Sequence, residues 1–528
     1  MKFIKVSNIK ISIDDAEEKI WEKAMQSASV SSDEILSKKI LKMSIDARDK
    51  SCIQKIFTVG FTVKKYNKKR KNVTVLDREP KYCFKQTGEE ILTNRPVIVG
   101  FGPAGMFCAY LLVEYGYRPI IIERGSRVEE RIRKVQDFWK NNDLDPECNV
   151  QFGEGGAGTF SDGKLNTGIR DKQNRINKVL ETFVCHGADE KILYDAKPHI
   201  GTDVLSRVVK SMRETIESKG GTFYFDTALK DIVIEDDLLK QIVLSDGKVL
   251  DTQVCVLAIG HSARDTFEML YKKELQMEAK PFAVGVRIEH LQKTINRSQY
   301  GFDGNRLGAA NYKLTYHTNN DRAVYSFCMC PGGYVVNASS QPEGMVVNGM
   351  SNQARDGKNA NSAMVVTVTP QDFGDDKDPL SGVRFQKQIE QLAYREGNGK
   401  IPVQRFGDFC HHEVSEGFGK IAPQTKGNTH FADINRILPE YICDALKEGI
   451  SHFGSVISGF DDEDAVLSAV ESRTSSPVRI KRDENYQCRY KGVFPAGEGA
   501  GYAGGITSAA IDGIKIFEFI ANKYKPFC

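Results

Sequence analysis

The sequence has almost no surplus of charge of either sign, with 73 lysine and arginine residues against 70 aspartate and glutamate residues. A dedicated nucleic-acid binder usually carries a clear basic surplus, so this balance argues against nucleic acid as the main partner. The chain has 528 residues, whereas single hydrophobic cores usually stop growing at about 250–300 residues. We therefore expect a globular protein of two or three domains.

The N-terminus lacks the basic start and the apolar stretch of a secretory leader. Met1–Ile13 instead largely alternates polar and apolar residues. One uncharged run, Pro96–Val113, has the length of a membrane span, but glycines and a proline interrupt it within residues 100–105. A strand, a turn and a helix explain this run better, so we predict a cytoplasmic protein without membrane contact.

The twelve cysteines lack the paired spacing of a zinc site. The one close pair, Cys328 and Cys330, is separated by a single residue, and no second pair completes a site. We predict no metal centre, and free thiols in a reducing compartment. We interpret the two cysteines as small buried side chains, and a redox-active dithiol is the open alternative.

The clearest pattern in the chain is a strand, a glycine-rich turn, a helix and a second strand within about thirty residues. The four pieces are Val97–Val99, Gly100–Gly105, Met106–Tyr115 and Pro119–Ile122, and Glu123 follows them. The glycines permit a sharp bend, let the backbone approach a pyrophosphate and let the helix pack closely on the strand, while the acid can accept hydrogen bonds from ribose hydroxyls. The pattern predicts that a dinucleotide is bound by Gly100, Gly102, Pro103, Ala104, Gly105, Glu123 and Arg124.

Three later segments favour FAD as that dinucleotide. Val254–Gly260 is an apolar strand ending in glycine, as flavoproteins with two dinucleotide folds often have near the cofactor. Gly492–Glu498 resembles their late motif, with a glutamate where many carry an aspartate bonded to the ribityl chain. Gly499–Gly505 leads into a helix predicted over Ile506–Ile520, whose N-terminus would stabilise negative charge on the reduced flavin. The predicted FAD contacts here are Gly260, Gly497, Glu498, Gly504, Gly505 and Ile506.

The sequence has no second strand, glycine-rich turn and helix of this kind. Gly153–Gly158 has the glycines, but a poor strand precedes them and no acid follows at the right distance. We therefore predict no separate NAD(P)-binding domain. NAD(P)H, where it serves as reductant, would bind beside the flavin only transiently. Gly155, Gly156 and Gly158 are expected to line the flavin site instead.

The order of these patterns predicts an α/β protein with three parts. Residues 1–92 are predicted to form a small N-terminal α/β domain, whose second helix is predicted over Ser32–Lys42. Residues 93–275 and 471–528 are predicted to form a discontinuous Rossmann-type FAD-binding domain. Residues 276–470, with strand-like segments separated by Gly and Asn turns, are predicted to be an inserted β-rich α+β substrate domain.

Longer glycine-rich and polar motifs run through nearly the whole chain. They are Ser44–Arg48 (SIDAR), Asn149–Leu165 (NVQFGEGGAGTFSDGKL), Lys197–Asp203 (KPHIGTD), Ala258–Asp265 (AIGHSARD), Lys280–His290 (KPFAVGVRIEH), Tyr325–Gly333 (YSFCMCPGG), Arg473–Val478 (RTSSPV) and Pro495–Ala510 (PAGEGAGYAGGITSAA). By these motifs the chain resembles the uncharacterised FAD-dependent dehydrogenases of bacteria, which are loosely similar to aminoacetone-oxidase-like and geranylgeranyl-reductase-like flavoproteins. The resemblance implies an FAD cofactor and the three-part fold, and it implies no particular substrate.

Three residues are predicted to take part in catalysis. His261 follows a strand end, where ligands bind in such sheets, and an imidazole can donate a proton at neutral pH. Lys164 could neutralise a phosphate or the reduced flavin. Arg287 alternates with Glu289 onto one side of a predicted strand, which would face the substrate cavity. A structural histidine and a surface lysine are the open alternatives for the first two.

Two further polar segments carry arginines with nearby acidic or hydroxyl side chains. Arg264 and Asp265 are adjacent and are predicted to form a structural ion pair. Arg473–Ser476 offers donors for an anion, which would be an acidic substrate or a phosphate of FAD.

These patterns predict an enzyme, a FAD-dependent oxidoreductase that transfers hydride through flavin N5 to or from a small-molecule substrate. The alternative is a flavin-dependent RNA-modifying or RNA-binding protein, because the run Lys64–Lys71 is strongly basic. We interpret that run as a solvated loop, since a charge run alone is a weak signal. A non-catalytic flavin-binding module is the third interpretation. No pattern in the chain predicts an oligomeric state.

Overall fold

The computed structural model describes residues 1–304, 306–374 and 377–526 of the chain. Its strands are β1 Lys2–Ser12, β2 Ile35–Asp46, β3 Gln54–Val63, β4 Val73–Leu76, β5 Val97–Val99, β6 Ile120–Ile122, β7 Thr222–Tyr224, β8 Leu229–Glu235, β9 Leu238–Leu244, β10 Val249–Asp251, β11 Cys255–Leu257, β12 Met277–Ala279, β13 Phe282–Leu291, β14 Thr315–His317, β15 Ala323–Cys330, β16 Tyr334–Asn337, β17 Val347–Met350, β18 Asn359–Val368, β19 Ile401–Arg405, β20 Thr425–Lys426, β21 Thr429–Phe431, β22 Val466–Glu471, β23 Val478–Ile480 and β24 Val493–Pro495. Its helices are α1 Glu18–Ala28, α2 Pro103–Glu114, α3 Val128–Asn141, α4 Arg175–Cys185, α5 Thr202–Ser218, α6 Arg264–Lys272, α7 Gln292–Tyr300, α8 Pro370–Phe373, α9 Ser381–Glu396, α10 Phe406–His411, α11 Glu440–Val456 and α12 Ile506–Lys523.

The N-terminal part is a four-stranded antiparallel sheet in the order β2-β3-β1-β4, with α1 packed on one face. Successive side chains of a strand point to opposite faces, so Ile4 and Val6 of β1 turn inward together. They are buried with Ile20 and Ala24, which share one face of α1. One apolar helix stripe and one sheet face thus close a small core of their own.

The helix predicted over Ser32–Lys42 is wrong. Ser32–Glu34 forms a single 3-10 turn, and the chain then continues as the edge strand β2 beside β3. The register of this pairing shifts twice, after Ile35 and after Ile40. Each bulge interrupts the alternation of polar and apolar residues, and the interrupted pattern imitates the spacing of a helix.

The basic run Lys64–Lys71 follows β3 as an irregular segment. Two of its cations contact the end of α1 in the same part of the chain. Lys68 donates a hydrogen bond to the carbonyl of Ser29, and Arg70 donates to the Ser29 hydroxyl at 2.8 Å. These contacts fasten the run to the N-terminal sheet and helix.

The centre of the molecule is a five-stranded parallel sheet in the order β24-β11-β5-β6-β7. Its strands are short and almost entirely apolar, because a parallel sheet is covered on both faces. β24 comes from the last part of the chain and pairs with β11, so the sheet is completed only after the inserted residues. The predicted Rossmann-type, discontinuous fold is confirmed.

Helices cover one face of this sheet, and a second sheet covers the other. Ile98, Ile121 and Val256 pack against α2, α5 and α12. Val97 and Leu257 point the opposite way, toward α6 and the antiparallel sheet β10-β9-β8. No helix among the described residues is both long and apolar enough to cross a bilayer. These layers leave the carboxyl ends of the parallel strands open to a ligand.

The residues between β12 and β23 form the inserted part. Its main sheet has seven strands, β14-β15-β18-β13-β22-β19-β21, and most of its neighbours are antiparallel. Helices α7 and α11 pack on one face, and the small sheet β17-β16-β20 lies against the other. β12 and β23 pair with each other where the chain leaves and re-enters the central part.

Candidate functional site

A cavity of about 490 Å³ opens where β5, β6, β11 and β24 end. Residues of β15, β17 and β22 in the inserted part close its opposite side. Ten of the lining residues are glycines, so much of the wall is bare backbone. Ligands of open α/β sheets bind in the crevice beyond the carboxyl ends of the strands, which makes this cavity the candidate site.

The turn from β5 to α2 forms one wall of the cavity. A Cβ at Gly100, where φ is +94°, would collide with the carbonyl of Ala258. Gly105 points away from the cavity, and a Cβ there would collide with the carbonyl of Gly100, so this glycine lets helix and strand pack closely. Gly102 is different, because a Cβ there would meet nothing nearer than Gly156 Cα at 3.8 Å. The protein itself thus has room for a side chain at residue 102, and its absence leaves that room to a ligand.

Two helix N-termini reach the cavity. α2 begins after Gly102 and α12 after Gly505, and neither N-terminus is capped by a side chain. Both glycines line the cavity, together with Pro103, Ala104 and Ile506. At Gly504, also in the wall, a Cβ would find no atom within 4 Å. Unpaired N–H groups and the positive end of each helix dipole favour negative charge at these points.

The carboxylate of Glu123 is held by the backbone. Its Oε2 accepts a hydrogen bond from Phe101 N at 2.8 Å, and its Oε1 accepts from Gly125 N at 3.1 Å and Gly153 N at 3.0 Å. The residue is only 5% exposed, yet it lines the cavity. A carboxylate has about four acceptor positions, so one position remains for a donor from the cavity.

Sequence reasoning missed the residue that holds the glycine-rich segment 153–158. The guanidinium of Arg131, on α3, is fully buried behind that segment. It donates hydrogen bonds of 2.8–3.1 Å to the carbonyls of Asn149, Val150, Gly153, Glu154 and Gly156. Burial lowers the pKa of Arg131 to about 10, which still leaves it a cation at neutral pH. In the sequence, Arg131 is one of several charged residues of an amphipathic helix, and nothing in that pattern indicates that it binds the glycine-rich segment.

The three glycines predicted in this segment lie in different places. Gly156 and Gly158 line the cavity. Gly155 does not, because it packs behind them against the Thr159 hydroxyl, with its N–H donating to the carbonyl of Phe101.

His261 and Glu498 meet where β11 and β24 end. His261 Nδ1 lies 3.2 Å from Glu498 Oε1, and both side chains line the cavity. Leu257 pairs with Pro495 in the sheet, so the segments that follow the two strands leave at the same edge. Within the described residues, the buried Nε2 of His261 has no hydrogen-bond partner. Buried polar atoms are normally paired, so this nitrogen is available to a ligand.

Lys164 lines the cavity on the side of the inserted part. Its ammonium pairs with Asp162 at 3.0 Å and donates to the carbonyl of Met329. Burial acts to lower the pKa of Lys164, but the Asp162 carboxylate outweighs it and raises the pKa above its ordinary value. Lys164 is therefore a fixed cation at neutral pH rather than a proton donor.

Arg287, predicted to be catalytic, has no exposed atom and stands behind the cavity wall. Its Nε donates to Glu471 at 2.7 Å, and its other nitrogens donate to Asn361 at 2.8 Å and to Asn348 and the Cys328 carbonyl at 3.0 Å. Three of these partners, Glu471, Asn348 and Cys328, line the cavity. The strand alternation placed Arg287 on the correct face, but β17 covers that face, so Arg287 positions the wall instead of touching a ligand.

Glu289, two residues further along β13, is also fully buried. Its Oε2 accepts hydrogen bonds of 2.9 Å from Asn359 and from Gln424 N. Burial raises the pKa of Glu289 to about 7. The expectation that Arg287 and Glu289 share a face of the cavity is wrong, because both are enclosed by neighbouring strands.

A buried ion network joins the inserted part to the central part. Glu390 on α9 pairs with Arg264 at 2.7 Å and with Arg473 at 2.9 Å. Burial acts to raise the pKa of Glu390, but the two guanidinium groups hold it well below its ordinary value. The predicted pair of Arg264 with Asp265 is wrong, since Asp265 pairs with Arg124 at 2.6 Å. Arg473 lines the cavity, but its charge is already matched by Glu390.

Two family comparisons cover separate parts of the chain. Residues 281–474 match the family described as FAD-dependent protein, C-terminal domain-like. Residues 3–61 match a domain of unknown function, DUF8436.

Three solved structures are among those to which the chain is similar. L-proline dehydrogenase from P. horikoshii is 11% identical, with 82% of this chain and 94% of that chain covered and a TM-score of 0.36. Glycine oxidase from Geobacillus kaustophilus is 9% identical, with 83% and 97% covered and a TM-score of 0.35. Glycerol-3-phosphate dehydrogenase from Bacillus halodurans, complexed with FAD, is 9% identical, with 82% and 65% covered and a TM-score of 0.35.

A relative from Clostridium beijerinckii, an uncharacterized protein, is similar along its whole length. It is 46% identical over 535 residues, and 99% of each chain is covered. The FAD dependence predicted from the sequence agrees with the family that residues 281–474 match. The chain therefore belongs to the same family as the C. beijerinckii protein, a family of FAD-dependent proteins.

Proposed function

We propose that this protein is a FAD-dependent oxidoreductase that transfers hydride between flavin N5 and a small-molecule substrate. The observation that carries the proposal is the glycine-lined cavity at the carboxyl ends of the parallel strands, into which two uncapped helix N-termini open. The FAD dependence of the family supports it from a separate direction. When bound, FAD supplies two-electron hydride chemistry, and the protein supplies binding, orientation and charge.

The walls fit a dinucleotide at the end formed by β5 and β6. The bare backbone at Gly102 and the N-terminus of α2 would hold the pyrophosphate. The one free acceptor position of Glu123 would take a ribose hydroxyl. The proposed FAD contacts all line the cavity: Gly100, Gly102, Pro103, Ala104, Glu123, Arg124, Gly156, Gly158, Gly260, Gly497, Glu498, Gly504, Gly505 and Ile506. Gly105 and Gly155 would act by shaping the backbone behind them.

The walls fit a flavin at the other end. The N-terminus of α12 would stabilise negative charge on the reduced ring, and the Lys164 ammonium would add a fixed positive charge nearby. His261 would hold a proton at Nδ1 against the Glu498 carboxylate and leave Nε2 to donate to, or accept from, the substrate. These residues supply charge and one mobile proton, which is what hydride transfer to a small molecule requires.

The same proposal extends to the reductant, the domain limits and the location. The five-stranded parallel sheet is the only one of its kind among the described residues, so NAD(P)H, where it is the reductant, would bind transiently beside the flavin. The domains proposed are an N-terminal domain of residues 1–92, an FAD-binding domain of residues 93–275 and 471–528, and an inserted substrate domain of residues 276–470. The cysteines of the described residues are free thiols, which fits a cytoplasmic location.

Anaerobic flavin-reduction spectroscopy tests this function. The purified protein should be yellow, and NADH, NADPH or one member of a metabolite panel should bleach the flavin. His261→Asn should keep its FAD but be reduced roughly a hundredfold more slowly, as expected for loss of a general acid or base. His430→Asn, which alters an exposed residue of β21, is the matched control and should behave as wild type. A protein that binds no FAD, or a flavin that none of these reductants bleaches, would contradict the proposal.

A further inference from the structure

Cys328 and Cys330 lie at an irregularity of β15 beside the cavity. β15 pairs with β18 through Phe327 and Ala363, and the next pair is Cys330 with Asn361. One strand thus advances by one residue more than the other, which is a β-bulge. Cys328 has a φ of +43°, a left-handed conformation that is costly for a residue other than glycine. Such conformations concentrate at functional sites.

The bulge directs the Cys330 thiol back toward Cys328. In a regular strand, alternate residues have Cα atoms about 6.6 Å apart, near the upper limit for a disulfide. Here the Cys330 thiol donates a hydrogen bond of 3.2 Å to the Cys328 carbonyl oxygen, so its sulfur turns back toward Cys328. Both residues are free cysteines. The pair is therefore a dithiol in which the Cys330 thiol is directed toward Cys328.

The two sulfurs differ in access. Cys328 is half-buried and lines the cavity, next to Glu471 and Asn348 in the wall. Cys330 has no exposed surface and lies behind it. A molecule in the cavity would meet Cys328 first, and Cys330 would be the partner that resolves a bond formed there.

Two fixed cations converge on this bulge. The Lys164 ammonium donates to the carbonyl of Met329, between the two cysteines. Arg287 Nη1 donates to the carbonyl of Cys328 at 3.0 Å and lies 3.8 Å from Cys330 Sγ. Nearby cations favour a thiolate, which is the reactive form of cysteine. The Cys330 hydrogen bond, with these two cations and against burial, holds the pKa of Cys328 well below its ordinary value.

We propose that Cys328 and Cys330 are a redox pair that passes two electrons between the bound flavin and a small disulfide substrate. This inference rests on the proposed function as a flavin enzyme. The Cys328 thiolate attacks the substrate disulfide and releases one substrate thiolate. Cys330 then gives up its proton and attacks Cys328 Sγ, which releases the second substrate sulfur as a thiol and forms the Cys328–Cys330 disulfide. The Cys328–Cys330 disulfide would then take up two electrons and one proton from the reduced flavin, which would restore the Cys328 thiolate and the Cys330 thiol and leave the flavin oxidised. The hydride donor of the proposed function would return the flavin to its reduced form.

An anaerobic titration with dithionite counts the electrons. Air-oxidised holoprotein should take up about four electrons per FAD, two in the flavin and two in the disulfide. Cys328→Ser and Cys330→Ser should each take up about two. Cys410→Ser, which alters another half-buried cysteine on α10 outside the cavity wall, should match wild type. Circular dichroism would show that each variant is folded.

Alkylation gives a readout that is independent of the flavin. After treatment with diamide, N-ethylmaleimide should leave the wild-type peptide with Cys328 and Cys330 unmodified, its mass lower by two hydrogens than that of the reduced peptide. Uptake of about two electrons by wild type, or two alkylated cysteines after diamide, would overturn the redox pair while leaving the flavin function intact. A protein that binds no FAD would overturn the proposed function, and with it any exchange between this pair and a flavin.

Discussion

His261 and Glu498 show how single residues of this site depend on distant partners. Each can be selected from the sequence separately, because each follows the end of an apolar strand. Their contact of 3.2 Å arises because β11 and β24 are neighbours in the parallel sheet, although the whole inserted part separates them in the chain. A sequence pattern identifies strand ends but not which ends are adjacent, so the pair itself could not be predicted.

Arg287 shows what a strand pattern can and cannot predict about a single residue. Alternation along β13 identifies the face on which its side chain lies. It does not show that β17 covers that face and separates the guanidinium from the cavity. Cys328, in contrast, lies in the cavity wall because of a bulge in β15 that no sequence pattern predicts.

Glu289 gives a prediction about pH. Burial raises the pKa of its carboxyl to about 7 from an ordinary 4.5. The folded protein thus holds this proton more tightly than the unfolded chain, so the stabilisation is complete below about pH 4.5 and is lost as the pH rises through 7. The loss amounts to roughly 3 kcal/mol at high pH. We expect Glu289→Gln to unfold at a higher temperature than wild type at about pH 8, and at nearly the same temperature at about pH 5.

Differential scanning calorimetry at the two pH values checks this prediction. Glu484→Gln, at an exposed position, is the control and should change neither transition. An effect of Glu289→Gln that is equal at both pH values would show that the carboxyl does not carry a raised pKa.

At the scale of elements, local patterns were sufficient where neighbouring residues decide the structure. The strand, turn and helix from Val97 to Glu114 agree with the prediction, because apolar runs and glycines specify them within a few residues. The edge strand β2 has the residue spacing of a helix, since its two bulges destroy the period-two pattern of a strand. The order of the seven strands in the inserted sheet depends on contacts between distant residues, so no local pattern carries it.

Two glycines of the same turn should respond differently to substitution. A Cβ at Gly105 would collide with the carbonyl of Gly100, which is backbone and cannot move aside easily. We expect Gly105→Ala to lower the free energy of unfolding by roughly 1–3 kcal/mol, as overpacking usually does. Gly102→Ala should leave it nearly unchanged, because a Cβ fits there. Urea unfolding of the two variants provides the measurement, and equal losses would mean that the turn is not packed as described.

At the scale of the whole molecule, Glu390 couples the inserted part to the central part. It pairs with Arg264 of α6 and with Arg473 beyond β22, and all three side chains are buried. Removing one partner of a buried ion pair usually costs about 3–5 kcal/mol. We expect Glu390→Gln to lower the melting temperature clearly at neutral pH, because two guanidinium groups lose their counter-charge.

The same residue should make stability sensitive to acid. The folded-state pKa of Glu390 lies well below its ordinary 4.5, so its stabilisation is present above about pH 4.5 and is lost as the pH falls toward the folded-state value. The gap in melting temperature between wild type and Glu390→Gln should therefore narrow from about pH 7 to about pH 3. A gap that stays constant over this range would contradict the network.

The proposed function depends on FAD lying against the turn at Gly102. The most direct test is the dissociation constant of FAD, measured from the fluorescence of flavin released on dilution of the holoprotein. Gly102→Ala should bind FAD at least about tenfold more weakly, a loss of roughly 1.4 kcal/mol, while its protein core stays intact. Gly168→Ala adds the same methyl group where a Cβ would meet no atom within 4 Å, and it should bind FAD as wild type does. An unchanged FAD affinity in Gly102→Ala would contradict the proposed site.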